Sequence, residues 1–265
     1  MPEPELVRVD QRGSVAVVVL DSPHNRNALS SALVLQLHAA LARVTADDRT
    51  RVVVLTGTGT VFCSGADLKE QRAGAAPPPI GLPDILTLIY DSPKPVVARV
   101  NGAARAGGLG LIAACDLTVG LAGATFGFSE VRIGVAPAVI AVSCLRRMDR
   151  RAARELFLTA ETFDGLRARD VGLLDRAVHD DELDLTVDEL VGQLSKGAPE
   201  ALAVTKQLLR DIPGPDLQED FRRMALVSAE RFTSAEAREG IAALLDKRPP
   251  AWVSPIATRS EGVRQ

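Results

Sequence analysis

Two short runs of small residues do most to constrain what this chain can fold into: Phe62-Cys63-Ser64-Gly65-Ala66-Asp67-Leu68-Lys69 and Asn101-Gly102-Ala103-Ala104-Arg105-Ala106-Gly107-Gly108-Leu109-Gly110. An apolar strand-like run from Pro95 to Val100 separates them and feeds the second. Small residues at a turn let another molecule approach the main chain closely, and N–H groups at the start of a helix have no partner within it. Two such turns, joined by a strand, can aim free N–H groups at one point. That is the construction of an oxyanion hole, which stabilises negative charge growing on a carbonyl oxygen.

The rest of the first half alternates β-branched runs with helical patterns: Val15 to Leu20, Ala32 to Val44, Val52 to Thr56 and Pro95 to Val100, an α/β alternation. Asp21-Ser22-Pro23-His24-Asn25-Arg26-Asn27 carries turn and capping residues between the first strand and the first helix. The segment Gly74-Ala75-Ala76-Pro77-Pro78-Pro79 cannot form regular helix, because proline lacks the amide donor, and reads as a mobile loop after the first turn. From Arg150 onward the pattern is helical: Arg150 to Leu158, Leu166 to Val171, Leu183 to Leu194, Pro199 to Leu209, Leu217 to Phe232 and Ala235 to Leu245. Thr233 with Glu236 reads as a capping box, and Pro199 suits a first helical turn. The expected division is a core over residues 1–195, a C-terminal helical region over 196–253 and a flexible tail over 254–265.

With 265 residues, 46% of them hydrophobic, the chain can bury a full core. A net charge of -3 gives no global attraction to nucleic acid or anionic membrane. The start, Met1-Pro2-Glu3-Pro4-Glu5, lacks the basic and apolar regions of a secretory signal, and no apolar run is long enough to span a bilayer. A cytoplasmic protein is the expectation. Cys63, Cys115 and Cys144 are odd in number and widely spaced, and His24, His38 and His179 show no metal-binding spacing, so neither disulfide nor metal is expected.

The two small-residue turns closely resemble the oxyanion motifs of the enoyl-CoA hydratase/isomerase family, the crotonase superfamily. The resemblance runs over nearly the whole chain, through Asn27-Ala28-Leu29, Cys115-Asp116-Leu117, Ala124-Thr125-Phe126-Gly127, Glu130 to Pro137, Ala168 to Val178 and Ser234 to Trp252. It implies a crotonase-like spiral of ββα units with a helical C-terminal oligomerisation region, assembled as a homotrimer or a dimer of trimers. It also implies an acyl-CoA thioester as substrate, with coenzyme A part of that substrate and no other cofactor.

Carried over residue by residue, the resemblance makes the Ala66 and Gly107 amides the oxyanion donors and Glu130 the acid/base. Ala28, Ser64, Asp67, Leu68, Lys69, Gly107 and Gly108 would line the acyl-CoA site, and Arg26 and Lys247 would meet the phosphates. Asp67 is expected to fix its own turn by side-chain to backbone hydrogen bonds, with Lys69 and Glu70 at the pocket rim. On the residues alone, Gly65 and Gly107 are ordinary turn glycines and Glu130 a solvated glutamate.

The chain departs from the family at Gly110, where two-glutamate hydratases carry their other carboxylate. One glutamate can serve an isomerase, which removes a proton at one carbon and returns it two carbons away. The stretch from Gly107 to Asp116 with Ser129-Glu130-Val131-Arg132 nevertheless looks like bacterial enoyl-CoA or methylglutaconyl-CoA hydratases. Hydration of a 2-enoyl-CoA is therefore the expected reaction, with 3-enoyl-CoA to 2-enoyl-CoA isomerisation or non-catalytic acyl-CoA binding as alternatives. Gly108-Leu109-Gly110-Leu111-Ile112-Ala113 also matches the dinucleotide fingerprint G-x-G-x-x-A, but mid-chain rather than at the start of a fold. No G-x-S-x-G elbow accompanies Ser64.

Overall fold

The computed structural model describes residues 4–72, 79–211 and 234–253. Its chain winds as a spiral. The first turn holds β1 (Val7–Arg12), β2 (Val15–Leu20) and helix α1 (Ser31–Ala46), and the second β3 (Val52–Gly57), β4 (Val61–Cys63), α2 (Leu68–Arg72) and α3 (Leu82–Asp91). The third holds β5 (Val96–Val100), β6 (Ala103–Arg105) and α4 (Gly107–Ala114). The fourth holds β7 (Leu117–Leu121), β8 (Thr125–Gly127), α5 (Ala138–Arg147) and α6 (Arg150–Thr159). There follow β9 (Phe163–Asp164), α7 (Gly165–Asp170), β10 (Arg176–Val178), α8 (Leu183–Leu194), α9 (Pro199–Asp211) and α10 (Ala235–Leu245).

The second, third and fourth turns each give one strand to each of two sheets, which is the ββα spiral. One sheet has the order β1-β2-β3-β5-β7-β10 and the other β4-β6-β8-β9. Pairing is parallel except for β1 with β2 and β8 with β9. Parallel strands buried on both faces read as unbroken apolar runs, and every residue of β2 and β3 is buried. Alternate residues nevertheless serve different layers. Ala16, Val18, Leu20, Val53 and Leu55 join the main core under α1, α3 and α4, whereas Val15, Val17, Val19, Val52 and Val54 pack toward Leu183, Val187 and Val191 of α8.

Lys206 of α9 reaches into the core between turns, donating to Asp116 (2.8 Å) and to the carbonyl of Ile89 (3.1 Å). Burial raises the Asp116 carboxyl's pKa and the Lys206 ammonium opposes that rise, so the ion pair ties a C-terminal helix to the spiral.

The C-terminal third differs from the all-helical expectation, because β9 and β10 lie within it. Two or three residues cannot display a period, so neither strand carries a sequence signature. The polar strand β1, outside the sequence reading, forms the antiparallel edge. The capping of α10 also differs: Ser234 is its N-cap, accepting from Ala237 N–H at 3.0 Å. Glu236 instead accepts from the first-turn N–H groups of Glu200 (2.9 Å) and Ala201 (3.1 Å) at the start of α9, locking the two helices together. Thr233, the helix expected over Leu217 to Phe232, residues 74–78 of the loop expected over Gly74 to Pro79, and the tail over 254–265 lie outside the described residues.

Candidate active site

The first small-residue turn leaves β4 at Cys63. Leu29 N–H donates to the Gly65 carbonyl (2.7 Å) and Asp67 N–H to the Leu29 carbonyl (3.4 Å), so Leu29 and Ala66 form one parallel bridge. That register turns the Ala66 N–H away from Leu29. Among the described residues it donates to no protein acceptor. Asp67 Oδ1 accepts from Lys69 N–H (3.0 Å) and Glu70 N–H (3.3 Å), holding the turn as expected. Glu70 accepts from Ser31 N–H (2.8 Å), which fastens the turn to the start of α1.

The second turn leads from β6 into α4. Ala106 sits at φ 47°, ψ −117°, a conformation that L side chains rarely adopt. It is held from both ends: Ala106 N–H donates to the Gly127 carbonyl (3.2 Å) and its own carbonyl accepts from Leu109 N–H (2.9 Å). Gly107 is the first residue of α4, and among the described residues its N–H also has no protein acceptor. The two turns touch. A methyl group built on Gly65, whose φ is 87°, would stand 2.9 Å from Ala106 Cβ and 3.5 Å from Gly107 N. Only a residue without a side chain at 65 lets the two turns pack this closely.

Glu130 opens a 3-10 turn, Glu130–Ile133, just after β8, and Val135 N–H closes on its carbonyl at 3.0 Å. The residue is only 8% exposed, and its Oε2 is buried without a hydrogen-bond partner. Removal from water disfavours the charged form, so the carboxyl's pKa is raised above the ordinary 4.5; its own backbone N–H opposes the shift. An unpaired buried carboxyl with a raised pKa is a candidate for moving protons.

Ala66, Gly107 and Glu130 meet on the wall of one cavity of about 500 Å³. Leu29 and Val34 of the first turn, Leu82 of α3, and Val139 and Ile140 of α5 make its apolar surface, with Asp67 and Glu70 at the edge. A hollow of about 490 Å³ on the other sheet face, beside α8, lacks such a group; its Arg99 pairs with Asp184 at 2.7 Å and its Arg8 with Asp10.

At Gly110 the structure explains the departure from the two-carboxylate pattern. A methyl group built there would lie 2.4 Å from Ile140 Cγ2 and 3.0 Å from Ile140 Cβ. Ile140 thus fills the space a side chain at 110 needs, and α4 and α5 pack closely enough for Ser143 Oγ to donate to the Gly110 carbonyl at 3.3 Å. Arg105 donates to Thr125 and to the Ala104 carbonyl, and Arg132 to the carbonyls of Thr159 and Ala160, so both guanidiniums are engaged in structure.

The remaining candidates do not line the cavity. Arg26 is exposed at φ 61°, with its carbonyl taking Ser64 N–H at 3.1 Å, and Ser64 Oγ meets the Asn25 carbonyl. Ala28 is buried, while Leu68 and Lys69 are exposed. Gly108 lacks a side chain for packing: a methyl there would sit 2.6 Å from the Cys63 carbonyl. With Gly110 against Ile140, neither glycine of the dinucleotide-like run is open to a phosphate, which removes that alternative. Lys247 is exposed beyond α10, Arg248 beside it is paired with Glu239 (2.7 Å), and Trp252 packs on the arm by donating to the Lys196 carbonyl (3.0 Å).

Sequence reasoning missed the structural role of Asn27. It is fully buried, accepts from Ser22 N–H (2.9 Å), and donates to the carbonyls of Thr58 (3.0 Å) and Val61 (2.8 Å), joining three loops behind the first turn. Its amide amid turn residues was the available signal. Among the described residues, no group of three His, Cys, Asp or Glu could hold a metal ion, and no helix is long and apolar enough to cross a membrane. Burial pushes the thiols of Cys63, Cys115 and Cys144 up to about 12.

Residues 10–255 match the model of the enoyl-CoA hydratase/isomerase family. A Thermus thermophilus protein named "Putative enoyl-CoA hydratase" is 38% identical over 249 residues, covering 91% of this chain and 98% of that protein. A carnitinyl-CoA dehydratase of Proteus mirabilis is 31% identical over 250 residues, 91% of this chain and 95% of its own. The solved structure of Pseudomonas aeruginosa AtuE superimposes with a TM-score of 0.87 at 35% identity, covering 94% of this chain and all (100%) of that one.

Proposed function

This chain belongs to the enoyl-CoA hydratase/isomerase family, the crotonase superfamily, and on that premise we propose that it adds water across the double bond of a 2-enoyl-CoA thioester. The observation that carries the proposal is Glu130 Oε2, buried and unpartnered on the wall that also holds the free Ala66 and Gly107 amides. In this reading the thioester oxygen accepts both amides, and the carbon β to it becomes electrophilic. The Glu130 carboxylate takes a proton from water as the oxygen bonds to that carbon. The enolate charge rests on the oxygen between the two amides, and the Glu130 carboxyl then returns the proton to the α-carbon. One group performs both transfers in sequence, and the upward shift of its pKa makes the protonated form easier to reach than in an ordinary carboxylate.

A second reading is favoured by Ile140 at the place of a second carboxylate. There Glu130 shuttles a proton of a 3-enoyl-CoA from the α-carbon to the γ-carbon, and water takes no part. Arg26 and Lys247 are proposed to meet the coenzyme A phosphates, and the C-terminal region over 196–253, through α9 and α10, to build a homotrimer or dimer of trimers in the cytoplasm. The assembly is supported by Leu244 and Leu245 of α10, which are 78% and 76% exposed in the single chain. Parallel panels of 2-enoyl-CoA and 3-enoyl-CoA compounds, with products separated by mass and chromatography, test the function. Hydrated product supports the first reading and isomerised product alone the second. Bound but unchanged ligand rejects both in favour of a binding protein.

A further inference from the structure

Glu130 is buried, yet it opens an outlying turn in which every residue from Val131 to Ala136 is exposed. The backbone hydrogen bonds of this turn close on itself: Arg132 N–H on the Ser129 carbonyl (3.1 Å), Gly134 N–H on the Val131 carbonyl (3.4 Å) and Val135 N–H on the Glu130 carbonyl (3.0 Å). They set its shape without fixing it to the body of the spiral. Among the described residues, two hydrogen bonds alone join residues 130–135 to another helix or strand, and both come from Arg132. Its Nη2 donates to the Thr159 carbonyl (3.1 Å) and its Nε to the Ala160 carbonyl (3.3 Å). These are the last residue and the C-cap of α6, where carbonyls lack helical partners and the helix dipole is negative. A planar guanidinium gripping two such carbonyls resists both sliding and rotation.

Resting on the proton-transfer role proposed above for Glu130, we infer that Arg132 is a positioning residue: it clamps the Glu130 turn to the C-terminal end of α6 and so holds the carboxyl in register with the Ala66 and Gly107 amides. Arg132 is not on the cavity wall, so it acts through Glu130 and not on the substrate. Placement matters steeply for proton transfer, since an error of about 1 Å can cost about 100-fold in rate.

The test uses the full-length protein on the productive enoyl-CoA. Arg132→Ala should lower kcat at least about tenfold with KM within about twofold of wild type. Arg132→Lys keeps the cation without the planar fork and should recover part of the loss. In a Glu130→Gln background, Arg132→Ala should change the residual turnover by less than about twofold, because nothing remains for the clamp to position. An unchanged kcat in Arg132→Ala, or the same loss in both backgrounds, would overturn the inference. Turnover untouched by Glu130→Gln would instead refute the role of Glu130. Amide hydrogen exchange reads the clamp without turnover: Val135 N–H should exchange at least about tenfold faster in Arg132→Ala, while the amides of β2 and β3 keep their rates. Equal protection of Val135 in the two proteins would overturn the clamp whatever the enzyme assay shows.

Discussion

The contact between Gly110 and Ile140 makes a quantitative demand on stability. Ala at position 110 would place a carbon 2.4 Å from Ile140 Cγ2, about 1 Å inside an ordinary carbon–carbon contact of roughly 3.5 Å. Overpacking a core position costs about 1–3 kcal/mol, and replacing a helical glycine by alanine returns roughly 0.5–1 kcal/mol. The net range for Gly110→Ala is about 0–2.5 kcal/mol of loss, and a contact as short as 2.4 Å to a β-branched side chain places it in the upper half of that range. Ile140→Ala alone opens a cavity and loses about 2–5 kcal/mol. Together the two changes remove Cγ2 and leave the 3.0 Å contact with Cβ, which a small helix shift relieves. The double variant should therefore be more stable than the sum of the singles by about 1–2 kcal/mol, well above the ~0.5 kcal/mol expected of independent sites. Urea unfolding at fixed protein concentration measures all four species. A neutral Gly110→Ala, or strictly additive losses, would refute the claim that Ile140 excludes a side chain at 110.

Because burial raises the Glu130 pKa, the native state holds that proton more tightly than the unfolded chain does. Its contribution to stability is present below the ordinary value of 4.5 and lost as pH rises through the raised native value. Glu130→Gln should thus gain stability relative to wild type as pH rises above the ordinary 4.5; parallel pH–stability curves would contradict the burial argument. Asn27→Ala leaves the Ser22 N–H and the Thr58 and Val61 carbonyls without their partner and should lose about 2–4 kcal/mol in urea unfolding. Gly107→Ala puts a methyl 2.8 Å from Leu29 Cδ1 and 3.1 Å from Leu82 Cδ2, both movable side-chain ends. It should therefore change stability by less than about 1 kcal/mol while lowering kcat/KM at least about tenfold through displacement of the oxyanion amide, and an unchanged kcat/KM would count against Gly107 as a donor.

The α/β alternation was legible because Val15 to Leu20, Val52 to Thr56 and Val96 to Val100 are runs rich in β-branched residues, broken only by Arg99 in the third, with helical patterns between them. Both small-residue turns were legible for the same local reason: glycine and alanine at a strand-to-helix junction allow close approach. Glu130 was a different case. Its type and spacing alone describe a surface residue, and only the family likeness singled it out; the apolar walls that change its chemistry come from α5 and from distant turns of the spiral. The Ile140 contact was hidden because it joins helices 30 residues apart with no pattern linking them. Ala106 was hidden too, since nothing in Arg-Ala-Gly tells that the alanine adopts a glycine-like φ. Glu236 shows a local rule losing to a tertiary contact: its position fits a capping box on its own helix, yet the open amides of α9 claim its carboxylate.

The most direct test of Glu130 as the sole proton carrier compares wild type with Glu130→Gln on the productive member of the enoyl-CoA panel, measuring acyl-CoA affinity and turnover separately. The amide keeps the side chain's shape but cannot carry a proton. Turnover should fall at least about 100-fold with affinity within about threefold of wild type. Turnover that survives the substitution would contradict the account, because, of the three carboxylates lining that cavity, only Glu130 has a buried oxygen without a partner, while Asp67 and Glu70 are tied to backbone N–H groups.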